Sequence, residues 1–314
     1  MKKIIKTAGN LLTIAAVVFL VKKFMDMEAD FSQLGKPPVI AAMVISGIIQ
    51  TAVVIFGTVP WLVFTQSLSG KKIPFRTAMP VYTKSNIYKY VPGNVFQYIG
   101  RNQLAADMNI SHVDVACATI LDVFFCVLWT GIISVAVLGG KIAELLGKYG
   151  RNLLIIGGIG TAAFILAVIV VSLKFRDKIT AYLSRYSKAF AKENRLTLSK
   201  GIFYYLMQNI VSAGMYFVSL KLVFGDTAEL SELFTLTGAF MFAWIIGFVT
   251  PGAPGGIGIR ESVMLFVCGE QYTDKVLLFV LAIRISSVIA DISAFLIGRL
   301  FSVKENTASN DINS

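Results

Sequence analysis

The sequence holds a single histidine, His112, and only three cysteines, Cys117, Cys126 and Cys268. A histidine-based metal site or a Ser-His-Asp triad therefore has almost no material. The cysteines lie in apolar segments with neither zinc spacing nor a framework of pairs, so each reads as a packing residue. His112 falls at an expected helix boundary and reads as interfacial. Charge is scarce as well: 15% of residues are charged, against about 25% in soluble domains. Neither the Gly-Lys-Ser/Thr of a Walker loop nor the G-x-G-x-x-G of a dinucleotide fold is present. No cofactor and no metal is expected.

What is abundant is apolar surface. Hydrophobic residues make up 56% of the 314 positions, and the mean hydropathy is +0.72. Apolar runs of about 20 residues, enough to cross a bilayer, recur along the chain. They predict spans at 4–22, 38–62, 113–138, 151–173, 201–223, 232–249 and 275–300. Two further segments, 71–108 and 259–269, are too broken or too short for simple spans and read as half-helices or re-entrant pieces held inside protein. The expected fold is all-α: a polytopic bundle of about seven to eight spans with two broken or re-entrant segments and an internal inverted repeat. Residues 1–303 form one membrane domain and 304–314 a disordered polar tail. The charged start MKKIIK resembles a signal peptide, but Lys22 and Lys23 follow the apolar run directly, so the first helix is read as retained.

The basic excess, 29 Lys and Arg against 18 Asp and Glu, has a membrane explanation. Counted beside the spans, twenty cations fall on one side and eight on the other, which places both termini in the cytoplasm and the protein in the cytoplasmic membrane. Residues 174–200 carry eight of the cations, with Ile179, Tyr182, Leu183, Tyr186 and Phe190 at helical spacing. That pattern suits a helix lying on anionic headgroups, and no nucleic-acid partner is expected.

The chain breaks its apolar pattern at PGAPGGIGIR, residues 251–260, and in the other half at PGNVFQYIGR, residues 92–101. Each is Pro-Gly, seven residues, Arg. Paired interruptions of this kind point to an internally duplicated transporter with a central site. Pro251 and Pro254 remove backbone donors and are expected to end the preceding helix, and Gly252, Gly255, Gly256 and Gly258 allow turns and close backbone approach. A helix restarting near Ile259 would turn its free N–H groups and Arg260 toward an anion such as a phosphate or carboxylate. The alternative is that the glycines serve close helix packing and that Arg260 and Glu261 form an interfacial anchor.

These two motifs, KYVPGNVFQYIGRNQLAADMNIS at 89–111 and PGAPGGIGIRES at 251–262, resemble the membrane region of the lysylphosphatidylglycerol synthase (multiple peptide resistance) family, also called flippase-like or the 0104 family. The resemblance implies a domain that moves aminoacylated or polyprenyl-linked lipids across the bilayer. It marks Pro92, Gly93, Gly100 and Arg101 in the first motif, and Pro251, Gly252, Gly255, Gly256, Gly258, Arg260 and Glu261 in the second. The family's full synthases add a soluble lysyltransferase domain. Here the sequence stops about fourteen residues after its last expected helix, so the enzymatic activity is expected by family name only.

Charges inside the spans are costly and tend to mark pathways or packing pairs. Asp122 lies in the third expected span; Arg284, Ser287 and Asp291 form one stripe on the last. Arg284 is expected to pair with Asp122 or Asp291, and Gln208, Asn209 and Ser212 to serve interhelical hydrogen bonds. The leading expectation is a translocator of an anionic or aminoacylated phospholipid or a polyprenyl-phosphate lipid, with Glu261, Asp122 and Asp291 as candidate proton carriers. The alternatives are a non-transporting subunit that presents lipid to a lipid-modifying synthase or glycosyltransferase, or a membrane-embedded transferase.

Overall fold

The computed structural model describes residues 31–91, 95–139, 191–249, 258–269 and 272–311, with isolated positions between 141 and 150. The expected spans 4–22 and 151–173 and most of the basic 174–200 segment lie outside the described residues. Those described form helices and no strand. They are α1 (Pro37–Phe56), α2 (Thr58–Ser69), α3 (Phe75–Ile87), α4 (Phe96–Leu104), α5 (His112–Leu138), α6 (Arg195–Phe224), α7 (Leu230–Val249), α8 (Ile259–Cys268) and α9 (Thr273–Asp311), joined in places by short 3-10 turns.

Five helical stretches are long and apolar enough to cross a membrane: α1 with α2, α5, α6, α7 and α9. The protein is membrane-embedded on this ground. The first is longer than the sequence pattern predicts. It runs from Pro37 to Ser69 with a single turn residue, Gly57, between α1 and α2, and Pro60 withholds one of the backbone donors that an unbroken helix uses. The expected span at 201 likewise starts earlier, at Arg195. Helix α9 runs to Asp311, through most of the segment expected to be a tail. Helix α5 begins one residue before its expected start, where the Ser111 hydroxyl accepts the Asp114 N–H at 3.1 Å; this is an N-cap that satisfies an otherwise orphaned donor.

The two segments read as broken contain helices too short to span. Helices α3 and α4 occupy 75–104, and α8 has ten residues. Packing divides the described helices around two cores. One gathers Trp61, Phe64, Val115, Leu121, Phe125 and Tyr205 from α2, α5 and α6. The other gathers Leu220, Phe224, Phe240, Met264, Phe279 and Ile283 from α6, α7, α8 and α9. Helix α4 packs on α3 and α5, and α8 on α7 and α9. Each short helix is thereby seated against the long helix that follows it. Large apolar side chains such as Val44, Phe124, Ile132, Ile210 and Leu296 face outward, as expected where lipid is the solvent.

Candidate functional site

The first motif delivers Arg101 from α4 into the interior, where only 2% of it is exposed. A guanidinium there needs compensation, and it has four partners, one of them the Trp61 ring at 5.7 Å. Its Nη1 donates to Asp122 Oδ2 on α5 at 2.7 Å, its Nε donates to the Ser85 hydroxyl at 3.2 Å, and its plane lies 4.0 Å from the Tyr82 ring centre. Gly100, beside it, makes this approach feasible: a Cβ at that position would stand 2.2 Å from the Tyr88 ring. The glycine is needed for the close contact between α4 and the turn before it.

The second motif restarts as a helix at Ile259, after Gly258. Gly258 has φ +83° with open space around its Cβ position, so the backbone angle is what calls for glycine there. Glu261 on α8 accepts two hydrogen bonds from Arg284 on α9, at 3.0 and 3.1 Å. Arg284 thus pairs with Glu261 and not with Asp122 or Asp291, the partners expected from sequence. Asp122 is taken by Arg101, and Asp291 by another set of donors. Each of the two short helices α4 and α8 thus makes one ion pair with the long helix after it, with the signs exchanged. In the first, a cation on the short helix meets a carboxylate 21 residues later; in the second, a carboxylate on the short helix meets a cation 23 residues later.

Asp291 is 1% exposed. Lys89 Nζ lies 2.7 Å from its carboxylate, Asn86 Nδ2 donates at 2.6 Å, and the Tyr90 hydroxyl donates to its second oxygen. The sequence reading missed these three donors. The available signal was their i, i+3, i+4 spacing immediately before the Pro92 break, which puts polar groups on one helical face.

These groups converge on one cavity of about 290 Å³, lined by Lys89, Arg101, Asp122, Arg260, Arg284 and Asp291 among others. Tyr82, Tyr90, Tyr98, Tyr205, Tyr216 and Trp244 give it an aromatic wall, and Gln50, Gln97, Gln208 and Ser287 add neutral polar groups. The α9 stripe of Arg284, Ser287 and Asp291 thus faces the cavity as a unit. Arg260 differs from the other cations: its Nε is buried and has no hydrogen-bond partner, and among the described residues no carboxylate lies within ion-pair distance of it.

Asn209 serves interhelical packing: its side-chain oxygen accepts from the Thr130 hydroxyl of α5 at 2.6 Å, and its amide donates to the Tyr205 carbonyl. Ser212 bonds back to the Gln208 carbonyl at 2.9 Å. His112 opens α5 on the exposed side, bonded to Asn102, and on the same helix Cys117 is buried and Cys126 half-buried. Among the described residues no group of His, Cys, Asp and Glu is arranged to hold a metal ion. Pro92, Gly93, Pro251, Gly252, Gly255 and Gly256 lie outside the described residues. No protein-family model, curated protein or solved structure matches this chain.

Proposed function

We propose that the protein is a lipid translocator whose cavity takes the anionic headgroup of a membrane lipid while the hydrocarbon tails stay in the bilayer. The observation that carries this reading is Arg260. It is a cation on the first turn of α8, it lines the cavity that also holds Lys89, Arg101, Asp122, Arg284 and Asp291, and its buried Nε has no partner. An uncompensated guanidinium in such surroundings is costly, and an arriving phosphate relieves the cost. Three further features support it. Arg101 and Arg260, the arginines of the two Pro-Gly motifs, line the same cavity. The first turn of α8 supplies free N–H groups beside Arg260. The volume of about 290 Å³ is close to the lower limit of small-ligand pockets, roughly 300 Å³, which suits a lipid headgroup.

Asp122, Asp291 and Glu261 are each held by a cation. Proton carriage by any of them requires its pair to open first, so transport down the lipid's own gradient is the simpler mechanism. The resemblance of the two motifs to the flippase-like family agrees with a lipid substrate. The test is reconstitution into phosphatidylcholine vesicles carrying fluorescent phosphatidylglycerol, with label in the inner leaflet read by its access to an external quencher. Intact protein is expected to expose that label and Arg260→Ala to slow the exposure. Failure of folded protein to move any lipid faster than empty vesicles do would remove the translocator reading.

A further inference from the structure

Resting on the translocator reading, the charges and unpartnered atoms of the cavity narrow its substrate. Four cations belong to the site: Lys89, Arg101, Arg260 and Arg284. Three carboxylates answer them: Asp122 on Arg101, Asp291 on Lys89, and Glu261 on Arg284. Among the described residues one positive charge is therefore left over, and it is Arg260. A singly charged anion brings the site to neutrality. A zwitterionic or cationic headgroup leaves net positive charge buried among apolar helices, and a dianion leaves net negative charge, and both are penalised in a poorly solvated interior.

The second observation concerns neutral hydrogen bonding. Besides Arg260 Nε, three buried polar atoms on cavity-lining side chains lack partners: Gln50 Nε2, Asp122 Oδ1 and the Tyr205 hydroxyl. Gln50 Nε2 is a donor, Asp122 Oδ1 an acceptor, and Tyr205 serves as either. Leaving such atoms unpaired is unfavourable, and native interiors leave few. An ammonium would satisfy Asp122 Oδ1 but not Gln50 Nε2, and it would worsen the charge balance. A hydroxyl donates and accepts, so a polyol satisfies all three without altering the charge. The aromatic wall adds flat apolar surface suited to the C–H face of such a group.

We infer that the cavity recognises a lipid phosphodiester carrying one negative charge and a hydroxyl-bearing head, a glycerol or a sugar, with the phosphate at Arg260 and the hydroxyls at Gln50, Asp122 and Tyr205. Aminoacylated headgroups are disfavoured by the same charge balance. Binding forms no covalent bond.

The test compares acyl-labelled lipids of identical tails in vesicles reconstituted with the full chain: phosphatidylglycerol, phosphatidylpropanol, phosphatidylethanolamine and phosphatidic acid. The first two share a single charge and differ only in hydroxyls. Phosphatidylglycerol is expected to move at least about tenfold faster than phosphatidylpropanol, because a site built around hydroxyls leaves polar atoms unpaired when they are missing. Phosphatidylethanolamine and phosphatidic acid are expected to lag as well. Tyr205→Phe is expected to lower the ratio of the phosphatidylglycerol rate to the phosphatidylpropanol rate a few-fold, because the side-chain hydroxyl that distinguishes the two lipids is then gone from the site; an unchanged ratio counts against Tyr205 as a hydroxyl contact. Equal rates for the glycerol and propanol lipids, or an ethanolamine lipid as fast as the glycerol one, would overturn the polyol assignment and leave the translocator intact. Movement of none of the four removes the translocator reading and this assignment with it.

Discussion

Glu261 and Arg284 meet through two parallel hydrogen bonds, 3.0 and 3.1 Å long, that tie α8 to α9. Their side chains are 12% and 8% exposed, so each depends on the other for compensation. Removing one partner of a buried pair costs about 3–5 kcal/mol, because the remaining charge is stranded. Glu261→Gln and Arg284→Ala are each expected to lower the thermal midpoint in detergent markedly. The exchanged double variant, Glu261→Arg with Arg284→Glu, is expected to recover part of the loss. If the single variants melt with the intact protein, the pair is not what fastens α8.

Arg260 and Arg101 are expected to part company in the same measurements. Arg101 is enclosed by Asp122, Ser85 and Tyr82, so Arg101→Ala strands Asp122 and destabilises the fold. Among the described residues Arg260 has no such partner, and Arg260→Gln removes a half-buried charge whose Nε is buried and which no described carboxylate answers. Its thermal midpoint is expected to stay within a few degrees of the intact protein or to rise, while lipid movement falls about tenfold or more. A variant that loses stability and keeps transport would contradict this assignment.

Gly100 gives a purely steric prediction. In an ordinary helix Gly→Ala stabilises by about 0.5–1 kcal/mol. Here the added methyl would lie 2.2 Å from the Tyr88 ring, and overpacking of this kind costs about 1–3 kcal/mol. Gly100→Ala should therefore unfold at lower temperature, and combining it with Tyr88→Leu should restore some of the difference. Stabilisation by Gly100→Ala alone would mean that the ring has room to move aside.

Asp291 gathers Lys89, Asn86 and Tyr90 around one carboxylate, so it anchors the chain just before the Pro92 break to the last long helix. Asp291→Ala is expected to speed amide hydrogen exchange across 86–91 while α8 keeps its protection. Equal acceleration in both regions would indicate general loosening rather than a local anchor.

Much of this architecture is written in local pattern. The third expected span, 113–138, differs from α5 by one residue, because a long apolar run between polar ends leaves a helix little choice of boundary in a bilayer. The restart at Ile259 was equally legible, since the sequence places Pro254 and four glycines just before it, and Gly258, the last of them, takes a positive φ. The pairing of charges was not. Asp122, Asp291 and Glu261 are all carboxylates that either arginine would accept, and nothing in the order of residues ranks them. Asn86 and Tyr90 bind a carboxylate 205 and 201 positions away, a separation at which sequence spacing carries no information.

By itself, then, the sequence determined a helical membrane protein with two interrupted segments, because the cost of unsatisfied backbone groups in lipid leaves few other folds for so apolar a chain. Only the tertiary structure decided which charges cancel. Helix packing seats α4 against α5 and α8 against α9, and this brings Arg101 to Asp122 and Glu261 to Arg284. Arg260 is left facing the cavity as the cation that no described carboxylate answers.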